Sequence, residues 1–76
     1  MLITNQYEAP LRRHIDVSDP LYTHVAVNQN PKAALTDKTW LVYRITNASG
    51  ICSYPSGDNT PNFQASEVLN YTYLEA

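Results

Sequence analysis

The stretch Thr39-Trp40-Leu41-Val42-Tyr43-Arg44-Ile45-Thr46 is almost wholly β-branched or aromatic, and it stops at Asn47-Ala48-Ser49-Gly50. Such residues suit a pleated, half-buried surface, so the stretch reads as a strand. The stop reads as a hairpin loop, with Gly50 free to take a positive φ. Ile51-Cys52-Ser53-Tyr54 is then the returning strand. Upstream, Leu21-Tyr22-Thr23-His24-Val25-Ala26-Val27 has the same character and is entered through Ser18-Asp19-Pro20. Downstream, Val68-Leu69-Asn70-Tyr71-Thr72-Tyr73-Leu74 predicts another strand, with Leu69, Tyr71 and Tyr73 on one face.

The connections between these stretches are turn-rich. Prolines at 10, 20, 31, 55 and 61 cut the chain into short pieces and leave little room for helix. Leu11-Arg12-Arg13-His14-Ile15-Asp16-Val17 is ambiguous, alternating like a strand only in its second half. Asn28-Gln29-Asn30-Pro31 is a loop, residues 32–37 have room for one helical turn, and residues 55–62 form a long loop dense in turn formers. Residues 63–67 make a short connector. The expectation is an all-β fold, a small antiparallel meander or partly open barrel of about four to five short strands. Residues 1–18 are expected to be an N-terminal arm or edge segment, and residues 19–76 the small β domain.

Composition narrows the function classes. The chain has 76 residues, 43% hydrophobic and 16% charged, with net charge −2. Average proteins carry about 25% charged residues, and disordered tails carry high net charge, so a folded module is expected. A nucleic-acid binder is expected to be basic, and this chain is not. A single cysteine, Cys52, excludes an intrachain disulfide. The start has no basic, then apolar, signal-peptide pattern, and no run approaches the length of a membrane span. Export and membrane association are therefore not expected. A domain this short buries only about 60–65% of its unfolded surface, so it is expected to gain stability by oligomerising or docking.

No residue set carries catalysis. His14, His24 and Cys52 are the candidates for a thiol or metal site, and no spacing of theirs matches a known ligand or nucleophile pattern. The acids at 8, 16, 19, 37, 58, 67 and 75 are scattered, and Asp58 reads as a turn residue. Trp40, Tyr43, Arg44, Tyr54, Tyr71 and Tyr73 have the composition of a stacking platform for single-stranded nucleic acid, but Trp40 and Tyr43 fall on opposite faces of a strand. Aromatics filling a thin core or an interface are the simpler reading. Arg44, on the Trp40-Val42-Arg44 face, is placed to stack on Trp40 or to pair with a carboxylate. Asn47-Ala48-Ser49 and Asn70-Tyr71-Thr72 match the glycosylation pattern, which has no meaning without export.

Asp19-Pro20-Leu21-Tyr22-Thr23-His24-Val25-Ala26, Trp40-Leu41-Val42-Tyr43-Arg44-Ile45-Thr46, Gly57-Asp58-Asn59, Phe63 and Leu69-Asn70-Tyr71 follow one another in this order. The pattern resembles a group of very small proteins encoded by tailed bacteriophages and related prophages. Its members tend to show Asp-Pro-x-Tyr-x-Tyr-x-Gly, then Trp-x-Ile-x-Arg-Ile, an Asp-Gly turn, and Phe before Leu-x-Tyr. Here Ala26 replaces the glycine, Gly57-Asp58 reverses the turn pair, and the second tryptophan is absent. The resemblance covers residues 19–73. It implies a virion structural component made in the host cytoplasm, with no catalytic residues, cofactor or metal.

The function expected is a non-enzymatic virion protein, a capsid decoration or cement subunit acting through other virion proteins. A tail, neck or fibre-adaptor part is the alternative, and a single-strand nucleic-acid module a more distant one. The expected interface or structural residues are Leu2, Ile3 and Tyr7 on an arm of residues 1–9, together with Trp40, Arg44, Tyr71 and Tyr73. The face of Trp40, Val42 and Arg44, or that of Tyr71 and Tyr73, is expected to be covered by another chain.

Overall fold

The computed structural model describes residues 11–75. Five strands form one open antiparallel sheet in chain order: β1 (Arg12–Asp16), β2 (Tyr22–Asn28), β3 (Leu41–Thr46), β4 (Cys52–Pro55) and β5 (Tyr73–Leu74). The all-β meander expected from the sequence is the architecture found. The ambiguous stretch at 11–17 is β1, an edge strand paired along its whole length with β2. The arm of residues 1–9, with Leu2, Ile3 and Tyr7, lies outside the described residues.

Turn chemistry explains the connections. Asp16, Asp19, Asn28, Asn30 and Asp58 each accept, through a side-chain oxygen, the backbone N–H two residues on. Such Asx turns compete with regular structure. Together with Asp37, which accepts from the Ala34 N–H, they hold the 28–37 segment as turns in place of the single helical turn expected there. Gly50 closes the β3–β4 hairpin at φ +74°, its N–H donating to the Thr46 carbonyl. After β4, Ser56 (φ 52°) and Gly57 (φ 74°) make a turn closed by the Asp58 N–H on the Pro55 carbonyl. Two successive positive φ values define a type I′ turn.

Residues 68–74 differ from the expected strand. A 3₁₀ turn, Ala65–Glu67, runs on through Val68 to Asn70, and only Tyr73–Leu74 pairs with β4. The reason lies in the packing. Val68 is buried in the core cluster beside Ala65, a position that a chain hydrogen-bonded into the sheet would not reach.

Register sorts the side chains onto two faces. Cross-strand partners place Ala26 beside Val42, His24 beside Arg44, Arg44 beside Ser53, and Pro55 beside Tyr73 on one face. Two segments cover it. Ala33 and Leu35 come from the β2–β3 connection, and Phe63, Ala65, Val68 and Tyr71 from the β4–β5 connection. Trp40 and Val42 are fully buried between sheet and cover. The chain itself therefore covers the Trp40-Val42 face, contrary to the expectation of a second chain there. The cause is the length of the two connections, which supply small and aromatic residues at the right places.

Trp40 ties sheet to cover. Its backbone exchanges hydrogen bonds with Phe63 (2.9 and 3.1 Å), and its indole N–H donates to the Ala34 carbonyl (2.9 Å). Truncating a buried Trp to Ala costs about 3–5 kcal/mol. A chain of this length has a total stability of roughly 4–11 kcal/mol. Trp40→Ala is therefore expected to lose cooperative urea unfolding, followed by circular dichroism. Trp40→Phe, which keeps most of the volume, should lower the urea midpoint and remain folded. Ser56→Asn, which places a residue tolerant of positive φ in the I′ turn, should raise stability by about 0.5 kcal/mol in the same assay.

Candidate interaction surface

On the covered face, β2 and β3 bring Tyr22, His24 and Arg44 together with Tyr73 of β5. The guanidinium carbon of Arg44 lies 3.9 Å from the Tyr22 ring centroid and 5.0 Å from that of Tyr73. Arg44 thus stacks on two tyrosines, whereas Arg12 is the residue over Trp40, at 6.0 Å. A cation over an aromatic face is held by the ring quadrupole at about 0.5–1 kcal/mol or more each. The Arg44 Nε is buried with no hydrogen-bond partner among the described residues. Tyr73 is itself buried, its hydroxyl donating to the Val68 carbonyl, and burial raises its pKa above the ordinary tyrosine value.

His24 sits beside this stack, 4% exposed, its ring centroid 5.4 Å from that of Tyr73. Its Nδ1 also lacks a partner among the described residues. Burial pushes its pKa below 6.5. The Arg44 charge pushes the same way, and Asp16 and Asp19 oppose. Asp16 is held below 3.8, chiefly by the side-chain and backbone hydrogen bonds from Ser18.

Trp40 and Tyr73 are buried in the chain's own core, and Arg44 and Tyr71 are half-buried against it. Tyr71 packs edge-on to Phe63 and accepts the Gln64 N–H at its hydroxyl. These residues build the fold, and they leave no aromatic platform for bases on this side. The His14, His24 and Cys52 set does not assemble. The register puts the histidines on the covered face and exposed Cys52 on the other. Among the described residues no three of His, Cys, Asp and Glu converge as a metal site, and no helix is long and apolar enough to cross a membrane.

The opposite face is where the sequence reading missed most. It carries Arg13 and Ile15 of β1, Val25 and Val27 of β2, Leu41, Tyr43 and Ile45 of β3, Tyr54 of β4 and Leu74 of β5. None of these belongs to the core cluster. Val25 is buried at the centre of the face, while Ile15 and Leu74 are more than half exposed. Tyr43 and Tyr54 pair with ring centroids 6.4 Å apart. At one end Val27, Leu41 and Pro61, with Thr39 and Asn28, line an open hollow of about 430 Å³. The signal for this face was available, because the alternate positions Val25 and Val27 of β2 and Leu41, Tyr43 and Ile45 of β3 are all apolar.

His24 gives the fold an acid limb. A histidine whose pKa is depressed on folding contributes stability that is present above pH 6.5 and lost as pH falls toward its folded value. The urea midpoint should therefore fall between pH 7.5 and 5.5, and His24→Gln should flatten that slope. Asp16 acts in a lower window, its contribution being lost only as pH falls through 3.8 and below. Arg44→Gln removes both stacks and is expected to cost about 1–2 kcal/mol in urea denaturation at pH 7.5.

Comparison with protein-family models, with curated proteins and with solved structures finds no match to this chain.

Proposed function

We propose that this protein is a non-enzymatic assembly module that docks on partner proteins through the outer sheet face of Ile15, Tyr43, Ile45 and Tyr54. The observation that carries the reading is the asymmetry of the sheet. Among the described residues the core cluster lies on one side, while the other side, with Val25 buried at its centre, presents half-buried to exposed aliphatic and tyrosine side chains. Exposed apolar patches of this kind mark protein contacts, and tyrosine is enriched in them. The low charge of the chain, 16%, suits the same use.

The setting we propose is a bacteriophage particle, which rests on the resemblance of residues 19–73 to small phage proteins. Within it, a capsid decoration or cement subunit made in the host cytoplasm is the favoured place, and a tail, neck or fibre-adaptor part the alternative. The partners are then other virion proteins, in the first instance the major capsid protein.

Mass spectrometry of purified particles of the encoding phage is expected to find the chain. Hundreds of copies per particle would place it on the capsid, a few to a few tens in the tail or neck, and absence would overturn the virion setting. Tyr43→Asp with Ile45→Asp, folded as judged by Trp40 fluorescence, should lose incorporation at least tenfold. Full incorporation of that variant would overturn the docking face.

A further inference from the structure

The two outer strands of the sheet are unlike. β5 is two residues long and lies against Pro55, which has no N–H to give. β1 runs five residues in unbroken register against β2, with neither proline nor bulge. Its other edge has no strand partner among the described residues. A regular, open edge is a template for another strand.

The geometry points to a second copy of this chain as that strand, paired antiparallel with β1 about a twofold axis at His14. The inference rests on the assembly-module reading and names one partner of it. Its warrant is the order of charges in Arg12-Arg13-His14-Ile15-Asp16. Centring an antiparallel pair of these strands on His14 sets Arg12 opposite Asp16 of the second copy, twice. It sets Arg13 opposite Ile15 and His14 opposite itself, and it uses all five residues. Moving the centre to Arg13 opposes two arginines and leaves Asp16 facing no strand residue. Moving it to Ile15 leaves both arginines facing none. Opposite charges across a ladder stabilise it and like charges destabilise it. The Ile15 centre also opposes His14 to Asp16, but over three strand residues only. The His14 centre is therefore the one register that uses the whole strand and opposes arginine to aspartate.

The side chains are compatible with that pairing. Arg12 folds inward, donating one guanidinium N–H to the Ala33 carbonyl, and a guanidinium has further donors to offer. Asp16 uses one oxygen, Oδ1, for the Ser18 N–H and hydroxyl, and among the described residues Oδ2 has no hydrogen-bond partner and can take Arg12 of the second copy. The axis stands perpendicular to the sheet, so each copy keeps its faces on the same side. The apolar face that begins at Ile15 in each copy then continues across the junction.

The test uses the full chain. Sedimentation velocity at micromolar concentration is expected to show a dimer. Asp16→Lys, which puts two like-charge pairs in the junction, should weaken it by about tenfold or more. Arg12→Glu should do the same, and an equimolar mixture of the two variants should form a heterodimer, since each junction pair is then of opposite charge. Circular dichroism checks that each variant is folded.

A register-specific readout stands apart from those charges. In a Cys52→Ser background, His14→Cys should crosslink to itself under mild oxidation. Opposed residues have Cα atoms about 4.5–5.5 Å apart, within disulfide reach. Arg13→Cys in the same background, facing Ile15, should crosslink poorly. A monomer overturns the inference, as does a dimer without the 14–14 crosslink. A chain that dimerises only once residues 1–10 are removed also overturns it, and assigns the edge to its own N-terminal segment. A monomer that is still found in virions would leave the proposed function standing; a dimer absent from virions would do the reverse.

Discussion

The structure depends on Trp40. Its indole is fully buried, its ring nitrogen holds the Ala34 carbonyl, and its backbone bridges to Phe63. These contacts bring the two long connections onto the same side of the sheet. Once there, the connections bind each other, through Ser66 N–H to the Leu35 carbonyl and the Gln64 amide to the Thr36 carbonyl. The cover is irregular chain, yet its backbone groups find partners, as buried chain must. A single large side chain thus does the work that a helix layer does in larger folds.

One-sided cover has a consequence for the other side. The strands are too apolar for a face meant only for water, yet every cluster-forming residue outside the sheet lies against the Trp40 side. Tyr43, Tyr54, Ile45 and Val27 sit half-buried among their own neighbours, and Ile15 and Leu74 stand further out. A small domain with a thin core has reason to keep such a face, because burial against a partner adds to what its own interior supplies.

Among the described residues Arg44 has no carboxylate partner, and stacking takes its place. The guanidinium lies between two tyrosine rings, and the neutral form of His24 is favoured beside it. Stacking suits arginine, whose planar and weakly hydrated head loses less on desolvation than an ammonium would. The row Asp16, His24, Arg44, Ser53 crosses β1 to β4 in register, so the edge strand and the stacked arginine belong to one electrostatic unit.

The all-β class, the order of most strands and the Gly50 hairpin were legible in the sequence, because β-branched and aromatic runs bounded by turn residues are local signals. Asp58 was legible as a turn residue for the same reason. Residues 68–74 were not, since their alternation is as strand-like as that of β3 and only the burial of Val68 beneath the sheet bends them into a turn. Arg44 was placed on its correct face, but its partners, Tyr22 and Tyr73, come from other strands, one of them nearly thirty residues away. The side of the sheet that the connections would cover was likewise beyond local reading. The face of Val25, Val27, Leu41, Tyr43 and Ile45 is the more apolar by sequence, yet the cover lies on the other, a choice made by long-range contacts of Trp40 with Ala34 and Phe63. Propensity acts between neighbours in sequence, whereas cover and stacking act between neighbours in space.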